Sequence, residues 1–252
     1  TSNPTGSWNI YQFTDATFFP DYPKFSVWHN AYYAYTNDFT PPGTNPFLGT
    51  SVWAFNRAAM ISGAPTAAML RQRLSIPNMG SMGTVGLEGM TPSTQNGLFV
   101  VPSSATSLGI FEVTPNFGTS TLTVGPVTAM PVNAWNASGS IPQQTGGNLG
   151  SLSPRMMFKV NYRNNGGTES IVCAQTIANG ALGQVRWYEL RRVGGTWTVF
   201  QQGNVGGTDG NSRWMPGISM DGCGNIALMY DVAGTGTPAA HPSRRRRSGC
   251  PP

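Results

Sequence analysis

The sequence predicts an all-β protein, a β-propeller of roughly five blade units whose terminal units are incomplete or open. Three observations carry this. Only 10% of the residues are charged, against about a quarter in an average globular domain. Exposed helix faces normally carry Glu, Lys and Arg, so many short strands joined by Gly, Pro, Ser, Thr and Asn turns fit better. Apolar runs of strand length, bounded by such turns, fill the chain. Finally, "DYPKFSVWHNAYYAYTNDF" from Asp21 and "RWMPGISMDGCGNIALMYDV" from Arg213 share one pattern. Each runs Pro, one residue, apolar, Ser, apolar, a polar turn, then a second apolar run. Strand groups recur at intervals of roughly 40 to 60 residues, a blade-like period. A β-sandwich is the rival architecture, since seven or more strands in turn-rich sequence would satisfy it too. The internal repeat favours the propeller.

Along the chain, "NPTG" is turn chemistry, and "SWNIYQF" alternates Trp8, Ile10 and Tyr11 or Phe13 as one strand. Phe25 and Val27 alternate with Ser26 and Trp28, His29-Asn30 turns, and Ala31 to Thr36 returns: a hairpin. Ser51 to Phe55 adds a strand. "RAAMISGAPTAAMLRQRL" is helix-like but broken by Gly63 and Pro65, so it predicts short helical turns in a connection. "NGLFVVPSS" and "SLGIFEVTPNF" pair as a hairpin, followed by "STLTVGPVTAM". Met130 to Ser153 is rich in Gly, Asn, Gln and Pro and reads as a long surface loop. "RMMFKVNYRNNGGTESIVCAQTI" gives two strands around Asn164-Asn165-Gly166-Gly167. "VRWYELRRVGGTWTVFQQG" gives two more around Gly194-Gly195. The repeated phrase closes the series, with Asp221 to Asn225 as its turn. Residues 1–240 are thus expected to form the propeller domain, and 241–252 a basic, disordered tail.

Composition removes several function classes. The net charge of +5 includes the adjacent Arg244, Arg245, Arg246 and Arg247, and without them the balance is 5 − 4 = +1. A near-neutral body is no footprint for nucleic acid, and four exposed arginines alone hold phosphate weakly. No apolar stretch approaches the ~20 residues of a membrane helix. Cys173, Cys223 and Cys250 form no CxxC pair or Cys/His cluster, so neither a metal site nor a cofactor is expected. One disulfide with one cysteine left over is arithmetically open. Cys173, inside the run "SIVCAQTI", reads as a small buried hydrophobe. His29 reads as a turn residue, there is no GxSxG elbow, and Asp221 in "DGCGN" is too few carboxylates for a Ca²⁺ site.

The segments "DYPKFSVW", "VRWYELRR" and "RWMPGISMDGCGNIALMYDV" resemble propeller domains of large secreted bacterial proteins of mostly unassigned activity. The resemblance covers most of Asn3 to Val232 and its motifs are structural. It implies a secreted or cell-surface bacterial location. It also implies a strand group before "NPTGSW" and a further blade after "GNIALMYDV", so the chain looks like a piece of a longer domain or a shortened version of it. "HPSRRRRSGCPP" departs from the pattern, as a change of reading frame would make it do.

In a propeller, the residues leading into each innermost strand converge on one end of the channel. Here they are Asp21, Tyr22 and Lys24; Gln95 and Asn96; Arg155; and Arg213 with Trp214. Arginines grip carboxylate or sulfate through two parallel hydrogen bonds, and aromatic faces stack on rings or cations. Such a rim fits a non-enzymatic extracellular binding or scaffolding module for a glycan-like or anionic ligand. The alternative is a hydrolase, a sialidase-like glycosidase with Asp21 and Tyr22 as catalytic candidates beside Arg155 and Arg213. Two-carboxylate glycosidase chemistry has Asp21, Glu189 and Asp221 to draw on. The bland reading is that Arg and Asp pair with each other and lock neighbouring blades. An incomplete propeller also exposes strand edges, which invites self-association.

Overall fold

The computed structural model describes residues 3–41, 46–74, 82–89, 96–241 and 243–246. Among the described residues it is nearly all β, with seventeen strands and one helix. The strands fall into antiparallel meanders. The first unit is β1 (Phe19–Val27), β2 (Tyr32–Phe39), β3 (Phe47–Phe55) and β4 (Met69–Leu74), with helix α1 (Arg57–Ser62) between the last two. The second is β5 (Gly83–Glu88), β6 (Gly97–Ser104) and β7 (Ser107–Asn116), whose outer edge pairs with both β8 (Thr121–Val124) and β9 (Thr128–Pro131). The third is β10 (Val160–Asn165), β11 (Thr168–Asn179), β12 (Leu182–Val193) and β13 (Thr196–Val205). The fourth is β14 (Ser212–Met220) and β15 (Ile226–Gly234), flanked by β16 (Thr237–Ala240) and β17 (Ser243–Arg246).

The first strands of successive units lie side by side. β5 and β10 pair in parallel, which merges the second and third units into one nine-stranded sheet. β1 approaches β5, where the Thr84 hydroxyl donates to the Lys24 carbonyl at 3.4 Å. β10 approaches β14, where Asn161 Nδ2 donates to the Ile218 carbonyl at 2.5 Å and Arg163 Nε to that of Met220 at 2.9 Å. Glycine sets the spacing at β5: a Cβ on Gly83 would overlap Val160, and one on Gly86 would press on Lys159.

Turn chemistry fixes the hairpins. Gly166-Gly167 and Gly194-Gly195 all have positive φ, as two-residue primed turns require, and they close β10–β11 and β12–β13. Trp28 N–H donates to the Ala31 carbonyl across His29-Asn30. Asp221 N–H donates to the Asn225 carbonyl, and Asp221 Oδ1 accepts the N–H groups of Cys223 and Asn225.

The core is a stack. Tyr33 meets Phe99 edge-on between the first and second units, and Phe99 lies on Phe111. Strand β11 is buried along nine consecutive residues because both of its faces are covered. Ile171 and Cys173 belong to the large core shared with the first and second units. Val172 and Ala174 pack with Ile218, Met220, Ile226 and Leu228 of the fourth. Cys173 is buried and free, and burial pushes its thiol pKa up. Cys223 is disulfide-bonded.

Four elements differ from the sequence expectation. "SWNIYQF" is not a strand: Trp8 and Ile10 point to solvent, 61% and 89% exposed. Residues 3–18 form instead an irregular strap over one face of the first unit. Tyr11 Oη donates to the Ala64 carbonyl at 2.8 Å, and Phe13 and Phe18 pack on Phe55 and Trp53. The helix-like stretch is helical only in its first half. Gly63 adopts the left-handed C-cap, and Met69–Leu74 then completes the first sheet as β4, its alanine-rich approach overridden by an available edge. β5 went unread, since its two glycines leave only Val85 and Leu87 as an apolar signal. In the expected disordered tail, Ser243–Arg246 pairs with β15, a ladder that needs only backbone groups.

A buried ionic network fastens the strap. Asp38, fully buried, accepts hydrogen bonds from Thr36 (2.8 Å), Ser51 (2.5 Å), Arg71 (3.3 Å) and Arg73 (3.1 Å). Arg71 also reaches Asp15 of the strap at 3.4 Å and stacks on Phe18.

Two outcomes follow from this packing. Phe99→Ala, at the centre of the stack, is expected to cost about 3–5 kcal/mol, checked by denaturant titration. Burial pushes the Tyr33 phenol up to about 12, and burial likewise raises Tyr35 and Tyr188. An unfolded tyrosine ionises near ~10. The unfolded chain therefore loses these protons first, so stability is full below pH ~10 and falls as pH rises above it. Melting temperature against pH, followed with phenolate absorbance, checks this: the three buried phenols are expected to ionise only with unfolding.

Candidate functional site

The approach to β1 carries an unusual backbone. Between Asp21 and Lys24 the register slips, so that Tyr22 and Pro23 oppose a single residue of β2. Proline has no N–H to give the ladder and is tolerated at such a bulge. Tyr22 takes a left-handed φ of 53°, a strained choice for a bulky residue ahead of proline. The same device recurs in β14. Met215 has φ 49°, Pro216 follows, and the register slips between Trp214 and Gly217. The repeated sequence phrase is therefore a repeated bulge.

In β1 the bulge turns the Tyr22 ring into a meeting point. Lys24 Nζ sits 4.1 Å from its centroid and the Arg155 guanidinium 4.8 Å. Arg155 comes from the loop ahead of β10, so the ring joins the first unit to the third. The ring centroid of Phe158, half-exposed at 52%, also lies 5.7 Å from Lys24 Nζ. Register puts Lys24 and Asp21 on the same face as Tyr35 and Asn37. The Tyr35 hydroxyl is buried with no hydrogen-bond partner among the described residues. Burial is the main cause of its raised pKa; Tyr22 adds to the rise, Arg155 opposes it and Asp21 adds to it. All three thus lie within electrostatic reach of that hydroxyl.

How charge is used elsewhere singles this place out. Nine of the ten acids have a partner. Asp15 and Asp38 hold Arg71, and Glu88 holds Lys159 and Arg163. Glu112 accepts from Asn96, Glu169 pairs with Arg192, Glu189 with Arg191, and Asp209 with Arg213. Asp221 caps its own turn and Asp231 meets His241. Only the Asp21 carboxylate has neither a side-chain hydrogen bond nor an ion pair among the described residues. The Lys24 ammonium and the Arg155 guanidinium likewise form none there. Among the described side chains, these three uncommitted charges gather beside one tyrosine. Two cations converging with no carboxylate bonded to either repel each other, and an anion placed between them gains from both.

The remaining candidates sit elsewhere. Gln95 lies outside the described residues. Asn96 precedes β6, the second strand of its unit, because β5 comes first. It is level with the end of β5, whereas Arg155 is at the start of the parallel β10, so the two lie at opposite ends. Asn96 is committed to Glu112 (2.6 Å) and Thr114 (2.9 Å). Arg213 grips both oxygens of Asp209 at 2.9 and 2.8 Å and holds that carboxyl far below its ordinary pKa, the structural pairing weighed above. Trp214 is 4% exposed and packs with Ile141 and Ala233, so it offers no face for stacking. The bulge turns this tryptophan inward where its counterpart Asp21 stays exposed. Of the acids considered for glycosidase chemistry, Glu189 is buried and bonded to Ser170, Arg191 and Gln201. Phe158 was not anticipated; it lay inside "MMFKV", read as strand, and nothing in that run marks it.

The two tryptophan and arginine roles separate experimentally. Trp214→Ala is expected to cost about 3–5 kcal/mol in denaturant titration, as a core truncation. Arg155→Ala removes only a half-buried cation–π contact and is expected to stay within about 1 kcal/mol of the parent.

No protein-family model matches the chain. No curated protein matches it in sequence either. Among solved structures, it is similar to an endo-arabinase from Bacteroides thetaiotaomicron VPI-5482, at 12% identity and a TM-score of 0.45, over 95% of this chain and 80% of that one.

Proposed function

We propose that the protein is a binding module for an anionic, glycan-like ligand, held where Tyr22, Lys24 and Arg155 meet. The carrying observation is the convergence of two cations without a carboxylate partner on one half-buried aromatic ring. The guanidinium supplies a planar fork for carboxylate or sulfate, the ammonium a point charge, and Tyr22 with Phe158 apolar faces for a sugar ring. The four units are read as blades of a propeller, with this cluster at the mouth of its channel. The side-by-side first strands, each starting a meander, support that arrangement. A secreted or cell-surface bacterial setting rests on the resemblance of the three segments quoted above.

A hydrolase is the second reading, and Asp21 favours it: an acid without a partner, beside a tyrosine. Against it stands the commitment of every other carboxylate, which leaves Asp21 no second acid to work with. One experiment separates the two. Purified protein is run on an array of uronate-bearing, sulfated and neutral glycans, and in parallel on chromogenic glycosides. Binding of acidic glycans that weakens with salt, and falls about tenfold or more in Lys24→Ala and Arg155→Ala, is the expected result. Asp21→Asn should then tighten binding by removing a like charge. Turnover that Asp21→Asn abolishes would establish the hydrolase instead, and indifference to all three substitutions would sink both.

A further inference from the structure

Three phenylalanines stand in register where the first unit begins. Phe19 of β1 pairs with Phe39 of β2, and Phe39 pairs in turn with Phe47 of β3. The Phe39 and Phe47 rings are 5.6 Å apart. Phe19 is 52% and Phe47 53% exposed, and Leu48, the residue left over at a bulge between β2 and β3, is exposed beside them. The fold does not ask for these rings. Aligned on Pro23 and Pro216, Phe19 corresponds to Ser212, and Phe39, through the same pairing, to Ala233. Ser212 and Ala233 are small and fully buried. The fourth unit thus builds the same ladder, bulge included, with two small side chains where the first unit holds large apolar ones against water.

The strap does not account for them either. Its Phe13 and Phe18 pack with Ala34, Trp53 and Phe55. Adjacent strand residues point to opposite faces, so Ala34 belongs to the strap side, and Tyr35, Asn37 and Phe39 to the other. Phe19 and Asp21 pair with Phe39 and Asn37, and Lys24 with Tyr35, so the row lies on the face that carries Asp21 and Lys24. It begins two residues before Asp21 and runs outward across three strands. Neighbouring strands are ~4.8 Å apart, so the row spans ~10 Å, a length that a trisaccharide covers and a single sugar does not.

We propose that the site takes a chain and not a single sugar: an acidic oligosaccharide whose carboxylate or sulfate sits between Lys24 and Arg155 while its next rings lie on Phe19, Phe39 and Phe47. This rests on the reading of the Tyr22 cluster as an anion site and adds the surface that carries the rest of the ligand. Sugar rings present apolar C–H faces, and a phenylalanine covers them with no polar group to satisfy. Exposed apolar surface of this kind, continuous with a cluster of uncommitted charge, matches a ligand that is anionic at one end and ring-faced along its length.

Calorimetric titration with galacturonate, its trimer and its hexamer tests this, with a heparin-derived series of graded length alongside. Hexaglutamate serves as a chain of like charge without sugar rings. In one of the two series affinity is expected to rise about tenfold from the shortest ligand to the trimer, and hexaglutamate to bind more weakly than the hexamer. Phe19→Ala and Phe47→Ala each remove one ring contact. Each should lower hexamer affinity about three- to tenfold and leave the shortest ligand unaffected, while Phe47→Trp keeps the parent affinity. Both positions are more than half exposed, so the variants should fold, as circular dichroism and melting will show. Phe200→Ala, at an equally exposed phenylalanine of the third unit, should change nothing. Hexamer affinity that ignores Phe19→Ala and Phe47→Ala, or hexaglutamate bound as tightly as the hexamer, overturns the proposal. A surviving dependence on Lys24 and Arg155 would then leave the anion site standing. Absence of binding in both series overturns the chain and the anion site together.

Discussion

Everything in this molecule depends on the packing of sheet face on sheet face. A chain with so few charges cannot solvate broad sheets with polar side chains, and its strands carry apolar residues in both alternations. Each meander therefore has two faces to cover, and the next meander supplies the cover. β11 shows the limit, with Ile171 and Cys173 buried toward one neighbour and Val172 and Ala174 toward the other. The glycines of β5 belong to the same constraint: Gly83 leaves room for Val160, and Gly86 for Lys159, beside the parallel ladder with β10.

The candidate site is a by-product of how the first strand of a unit begins. Proline in the first turn of the ladder forces a bulge, and the residue before it swings out with positive φ. In the fourth unit that residue is Met215, half-buried, and the position carries no charge. In the first unit it is Tyr22, and its ring receives cations from its own strand and from the loop before β10. One backbone device serves packing in one place and gathers charge in another. The difference lies wholly in the side chains hung on it.

Much of this was legible in the sequence, and the reasons are local. Gly-Gly pairs between apolar runs announce primed turns because only glycine takes two positive φ values in succession without strain. The doubled phrase announced equivalent strands because the same bulge needs the same proline. What was not legible depended on partners far along the chain. β5 has almost no apolar signal of its own. β4 follows an alanine-rich helix and becomes a strand only because β3 has a free edge. Trp214 and Asp21 occupy the same repeat position, yet one is core and the other surface, since Ile141 packs over the first while the second faces outward. The pairing of Arg213 with Asp209 was within reach as an i, i+4 spacing of opposite charges around a glycine-containing turn. The stacking of Arg155 on Tyr22 needed the fold.

Cys173 gives the stack an internal witness. Its thiol is free, lies on the face between the second and third units, and is held protonated by burial. A protonated, inaccessible thiol is inert toward alkylating reagents. It becomes a nucleophile only when that seam parts. The rate at which it is capped in native buffer therefore clocks the opening of one particular joint of the protein, separately from fraying at either end.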